Sequence, residues 1–103
     1  MSDAHFESAF RIDGDHPALS GHFPGHPVVP GVVLLDRVAA AIAEWKRARV
    51  VGLAQVKFLR PLLPDEEATL RLDAVENGIR FHIFHENSTI ATGQVATVAG
   101  EGT

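Results

Sequence analysis

His22 stands in the run Gly21-His22-Phe23-Pro24-Gly25, and Asp36 follows fourteen residues later inside an apolar stretch. An imidazole, with an ordinary pKa of about 6.5, is the natural side chain to take a proton near neutral pH. Gly21, Pro24 and Gly25 restrict the backbone that aims it. Asp36 is flanked at helical spacing by Val32, Val33, Ala39 and Ala40, so desolvation is expected to favour its protonated form and make it a proton donor. Between the two, Gly31 opens the apolar stretch, where the free N–H groups and positive dipole end of a helix favour a developing oxyanion. A base, an acid and an oxyanion donor are the parts of proton transfer beside a polarised carbonyl.

Blander readings stand beside each of these. Asp36 alone reads equally as a first-turn acid that merely complements the helix dipole. A loop histidine is ordinarily solvated or packed, yet His22 is the histidine whose neighbours are all conformational specialists. His22 and His26 would align as a metal pair only on a helix, which Pro24, Gly25 and Pro27 forbid, so no metal is expected. His82 and His85 lie three apart on an expected strand, point to opposite faces and read as structural. The sequence contains no cysteine, which removes disulfides, thiolate metal sites and thiol catalysis.

These residues need elements to hold them. The loop from Asp15 to Gly31 holds four prolines and three glycines in seventeen residues, so neither helix nor central strand runs through it. A loop of that length in a small domain is uncommon unless it is functional. Val32 to Ala48 has no breaker and is rich in Leu and Ala, which predicts a helix. Val32, Leu35, Ala39, Ile42 and Ala43 share one side and Leu34, Val38, Ala41 and Trp45 much of another, so the helix is expected to be nearly enclosed. Alternation over His5 to Ile12 predicts a first strand. Turn signals at Pro64-Asp65, Asn77-Gly78 and Asn87-Ser88 divide the rest into strands at Val50–Leu62, Ala68–Val75, Ile79–Glu86 and Thr89–Val98, read as an antiparallel meander. One long helix and about five strands predict an α+β layer arrangement, an antiparallel sheet wrapped around a central helix.

At 103 residues, 46% apolar and 21% charged, the chain is expected to form one domain over 1–103. A domain this small has a modest core, which makes a second subunit a natural source of further stability. The net charge of −4, with both signs mixed, argues against nucleic acid as the partner. The apolar run from Val28 to Ala43 is broken by Pro30, Gly31, Asp36 and Arg37 and is too short for a membrane span. With no signal-like amino terminus, a cytoplasmic location is expected.

The segment His22-Phe23-Pro24-Gly25-His26-Pro27-Val28-Val29-Pro30-Gly31, with Asp36 beyond it, resembles the active-site segment of the β-hydroxyacyl-acyl carrier protein dehydratases of the FabA and FabZ kind. There a His-Phe-x-x-x-Pro-Val-x-Pro-Gly loop precedes a hot-dog helix bearing an acidic residue. Lys57-Phe58-Leu59-Arg60-Pro61-Leu62-Leu63-Pro64 is similar to a second family stretch, although Asp65-Glu66 stands where Gly-Asp is usual. The resemblance implies a hot-dog fold, a cofactor-free reaction and a site shared between subunits of a homodimer or a heterodimer with a related hot-dog subunit. It implies His22 as base with its ring oriented by the Val28 carbonyl, Asp36 as acid, and the Gly31 amide on the thioester carbonyl. Ala40 stands where relatives carry a glutamine that supports the acid, a departure that matches a short, ApeI-like branch of aryl polyene synthesis.

The implied reaction is dehydration of 3-hydroxyacyl thioesters, carried on acyl carrier protein, to trans-2-enoyl thioesters in fatty acid or polyene-type biosynthesis. A hot-dog thioesterase and a weakly active subunit that binds carrier protein and supports an active partner are the alternatives. Lys46, Arg47 and Arg49 at the helix end most simply complement its carbonyls. With Lys57 and Arg60 they also suit a basic rim for an acidic carrier protein.

Overall fold

The computed structural model describes residues 4–19 and 28–100. Strand β1 (His5–Arg11) and a 3-10 turn (Pro17–Leu19) precede helix α1 (Gly31–Lys46). Strands β2 (Ala48–Phe58), β3 (Glu67–Val75), β4 (Gly78–His85) and β5 (Ser88–Ala99) follow. All five strands form one antiparallel sheet in the order β1-β3-β4-β5-β2. The expected meander therefore holds for β3, β4 and β5, while β2 leaves it for the far edge beside β5. Hydrophobic alternation defines a strand's faces but not its lateral neighbours, so β2 was legible as a strand and not by position.

Pro30 precedes the helix and, lacking an N–H, fits a helix entrance, while Arg47 ends it in the left-handed region at φ 53° with its N–H donating to Ala43 O at 2.9 Å. The buried stripe is Val33, Leu34, Val38, Ala41 and Ile42, packed in one core with Leu70, Leu72, Phe81, Ile83 and Val95 of the sheet. Each fully buried Leu, Ile or Phe contributes roughly 1.5–3 kcal/mol relative to an exposed one. The expected enclosure is corrected here: Val32, Asp36, Ala40 and Ala43 are exposed, because one small sheet covers a single side of a helix. At Gly93 the missing side chain admits Phe81, whose ring would lie 2.6 Å from an added Cβ.

Strand β2 ends at Phe58 rather than at the expected Leu62. Leu59 and Arg60 both turn their N–H groups onto Ile90 O, at 2.8 and 3.3 Å, and Pro61 and Pro64 have none to give to a ladder. The following turn accommodates the Asp65-Glu66 departure. Asp65 adopts φ 68° and its N–H donates to Ile12 O at 2.8 Å, while Glu66 Oε1 accepts from Leu63 N at 2.9 Å. Asp65→Gly is expected to raise stability by about 0.5 kcal/mol, the left-handed backbone relief outweighing the greater freedom of the unfolded glycine. A lowered thermal midpoint would show instead that the contact of Asp65 Oδ1 with Gly14 N at 3.4 Å matters more.

Candidate active site at the start of the helix

Gly31 is the first residue of α1. Pro30 O accepts from Val33 N at 3.0 Å and Leu34 N at 3.4 Å, which leaves the Gly31 and Val32 amides as the open donors of the first turn. Val29 N donates to Leu62 O at 2.8 Å, pinning the helix entrance to the segment after β2. Between them lies a groove of about 370 Å³, lined mainly by Val29, Leu34, Phe58, Leu59 and Leu62, with Gly31 also in its lining. The Phe58 ring rests on Gly31, where an added Cβ would come within 2.7 Å of Cζ. The site therefore couples an apolar groove, suited to an acyl chain, to a helix N-terminus suited to a polarised carbonyl.

Asp36 is exposed on the open side of α1. Among the described residues nothing buries it, and its apolar neighbours Val32 and Ala40 are exposed beside it. At 100° per residue Asp36 stands roughly 140° around the helix from Gly31 and about 7.5 Å further along the axis. The single chain thus does not bring the acid to the groove. Ala40, one turn beyond, offers Asp36 no hydrogen bond. His22 and His26 lie outside the described residues, and Val28, whose carbonyl the resemblance assigns to orienting His22, is half-buried at their boundary.

The five basic residues fall into two groups. Lys46 places its ammonium over the Trp45 ring at 4.7 Å, Arg47 caps the helix, and Arg49 is the second residue of β2. Lys57 and Arg60 lie at the other end of that strand, on the order of 26 Å away at about 3.3 Å per residue. Arg60 borders the groove with its Nη2 3.8 Å from Glu66 Oε2, and the same oxygen lies 3.5 Å from His85 Nε2. His85 Nδ1 faces Glu67 O at 2.6 Å, so that nitrogen carries its hydrogen. His82 Nε2 bonds Thr89 Oγ1 at 3.0 Å. Both histidines are thereby tied into the sheet and its margin. Sequence reasoning missed Phe58 as a site residue, although it sits in the quoted Lys-Phe stretch, because its approach to Gly31 depends on packing between distant elements.

Comparison with known proteins agrees with this architecture. A family model described as ApeI-like, ApeI dehydratase, matches residues 1–94. The 3-hydroxyacyl-[acyl-carrier-protein] dehydratase FabZ of Myxococcus xanthus is 31% identical over 97 residues, which cover 84% of this chain and 58% of that protein. The chain spans only about three-fifths of the length of such relatives, 58% and 63% in two of them. Among solved structures, the dehydratase heterocomplex ApeI:P from Xenorhabdus doucetiae superposes with a TM-score of 0.79 at 23% identity, over 93% of this chain and 88% of that one. A probable thioesterase from Bartonella henselae shares the fold with a TM-score of 0.68 at 21% identity, over 97% and 95% of the two chains. A five-stranded antiparallel sheet around one helix is the hot-dog fold, and with the family match running from residue 1 into β5 the chain belongs to the ApeI-like dehydratase family.

Proposed function

We propose that this chain dehydrates 3-hydroxyacyl thioesters, carried on acyl carrier protein, to trans-2-enoyl thioesters, as part of fatty acid or polyene-type biosynthesis. The observation that carries the reading is the apolar groove whose lining includes Gly31, the first residue of α1. The thioester oxygen accepts from the Gly31 amide and its acyl chain follows Leu34, Phe58 and Leu59. His22 removes the proton α to the carbonyl, and negative charge moves onto the oxygen at the helix N-terminus. Asp36 protonates the hydroxyl as the carbon–oxygen bond breaks, so that water leaves and the double bond forms. Proton exchange with solvent then restores neutral His22 and protonated Asp36. No cofactor enters this scheme.

Because Gly31 and Asp36 face different sides of α1, a site that uses both needs a second subunit, which we take to be another copy or a related hot-dog chain. Support comes from the uncovered apolar side chains Val32, Leu59 and Phe58, exposed by 63, 60 and 52%, and from the unpaired edge of β2. Among the structural neighbours the ApeI:P dehydratase is itself a heterocomplex, which favours a second subunit. Lys57 and Arg60, at the groove end of β2, are the better-placed pair to meet an acidic carrier protein; Lys46, Arg47 and Arg49 are remote from it. Among the described residues no helix is long and apolar enough to cross a membrane, and the cytoplasmic assignment rests on the sequence reading.

Ala40 favours a second reading, a weakly active subunit that supports a more active partner, since Asp36 has no amide beside it to hold the carboxyl. The purified chain, incubated with 3-hydroxyacyl thioesters of several lengths on acyl carrier protein and on coenzyme A, separates the possibilities. Enoyl thioester formed by the chain alone supports the proposal. Binding without turnover supports the second reading, and release of free thiol would replace dehydration with thioester hydrolysis. Gly31→Ala, by driving Phe58 off the helix start, is expected to lower turnover on the order of 10- to 100-fold. Its thermal midpoint should stay close to the parent's, because Phe58 is half-exposed.

A further inference from the structure

The face of the sheet turned away from α1 carries a constellation that takes no part in the proposed chemistry, although one member, Lys57, is also the residue offered above to a carrier protein. Antiparallel register aligns Arg80 with Gln94 and Gln94 with Gln55, and in the adjacent row Thr92 with Lys57. Their neighbours Phe81, Ile83 and Val95 are buried, toward the helix, so by the two-residue alternation of strands this set lies on the opposite face. Together these side chains line a pocket of about 160 Å³ over Gly93. Its lining offers an ammonium, a guanidinium, two amides and a hydroxyl, and no carboxylate.

Among the described residues these charges are uncompensated. Asp73 is the cross-strand neighbour of Arg80, but both its oxygens are taken by Arg71, whose Nε and Nη2 donate at 3.1 Å each. Arg71 also reaches Glu7 at 3.3 Å, and this pairing, Asp73 foremost, holds its guanidinium above the usual arginine range. Among the described residues neither Lys57 nor Arg80 has an ion-pair partner. At roughly 30 Å³ per water the pocket holds about five waters, room for one tetrahedral oxyanion. A phosphate monoester, with a charge of about −1.5 to −2 near pH 7, balances two cations and offers more acceptors than a carboxylate does.

The geometry points to an anion-binding site on the outer sheet face, formed by Lys57, Arg80, Gln55, Gln94 and Thr92, that takes a phosphate group. It shares no lining residue with the groove at Gly31, and phosphate binding there is independent of turnover. Its test is a titration of the ¹⁵N-labelled chain with inorganic phosphate at ionic strength held constant with chloride. Saturable shifts are expected at the Gln55 and Gln94 side-chain amides and at the Thr92 N–H. Lys57→Gln should weaken binding at least about tenfold, the loss of one charged hydrogen-bond donor, and Arg80→Gln should do the same. Both side chains are exposed, and circular dichroism of each variant verifies that it is folded.

Shifts that fail to saturate, that are as large at Lys46, Arg47 and Arg49, or that survive in the Lys57→Gln/Arg80→Gln double variant overturn the site. Phosphopantetheine is the second probe. Binding much tighter than that of inorganic phosphate identifies a phosphoryl group presented on a larger molecule, and equal binding identifies the free ion; either supports a phosphate site.

Discussion

The His22→Ala chain is expected to lose dehydration activity by about 10²- to 10⁴-fold, the usual range for removing a positioned general base. The expectation rests on the match of His22-Phe23 and Pro27-Val28 to the family loop, and on the groove that ends at Gly31. In the proposed mechanism, loss of the base would leave the helix N-terminus to polarise a thioester carbonyl with nothing to take the α-proton. Binding of a non-reacting acyl thioester should therefore change far less than turnover, and circular dichroism should match the parent. Near-normal turnover would remove His22 from the mechanism and with it the strongest reason to prefer dehydration over hydrolysis.

Asp36→Asn is the second large effect and the one that reports on assembly. Asparagine keeps the size of the side chain and a hydrogen-bond donor but delivers no proton, so a loss on the order of 10²-fold or more is expected from the chain alone. Mixing it with the His22→Ala chain should then restore activity. If the groove of one copy meets Asp36 of the other, random exchange makes half the dimers mixed, each with one intact site of two, so about a quarter of the parent activity returns. Recovery of none, with both variants dimeric by light scattering, would mean that base and acid are supplied by the same chain. Recovery only when a related hot-dog chain is added would identify the natural assembly as a heterodimer.

What could be read from residue order was whatever depends on neighbours in the chain. The stretch Gly31–Lys46 announced itself by seventeen residues free of breakers from Val32 onward, and the Asn77-Gly78 and Asn87-Ser88 turns joined β3, β4 and β5 at nearly the bounds observed. The position of β2 was not legible, because its partner β5 comes about forty residues later and alternation is silent about lateral order. Nor was the coverage of α1. Val32, Ala40 and Ala43 are as apolar as Val33, Val38 and Ala41, and only the curvature and width of the sheet decide which of them are covered. The same gap explains Asp36: its apolar neighbours were identified correctly, but among the described residues no surface covers it.

The uncovered edge of β2 also bears on the fate of a newly made chain. Between Arg49 and Lys57 it presents Val50-Val51-Gly52-Leu53-Ala54-Gln55-Val56, seven residues without a charge, and its outermost backbone groups have no strand beyond them. Such an edge is a template for adding further strands, and the positive charges at its two ends act as gatekeepers rather than as a barrier. Two register shifts, between Val50 and Gly52 and between Leu53 and Gln55, break the ladder and make the edge a poorer template. If the proposed second subunit covers this edge, a copy made in excess of it keeps the template open to aggregation, and the two register shifts are what limit that hazard.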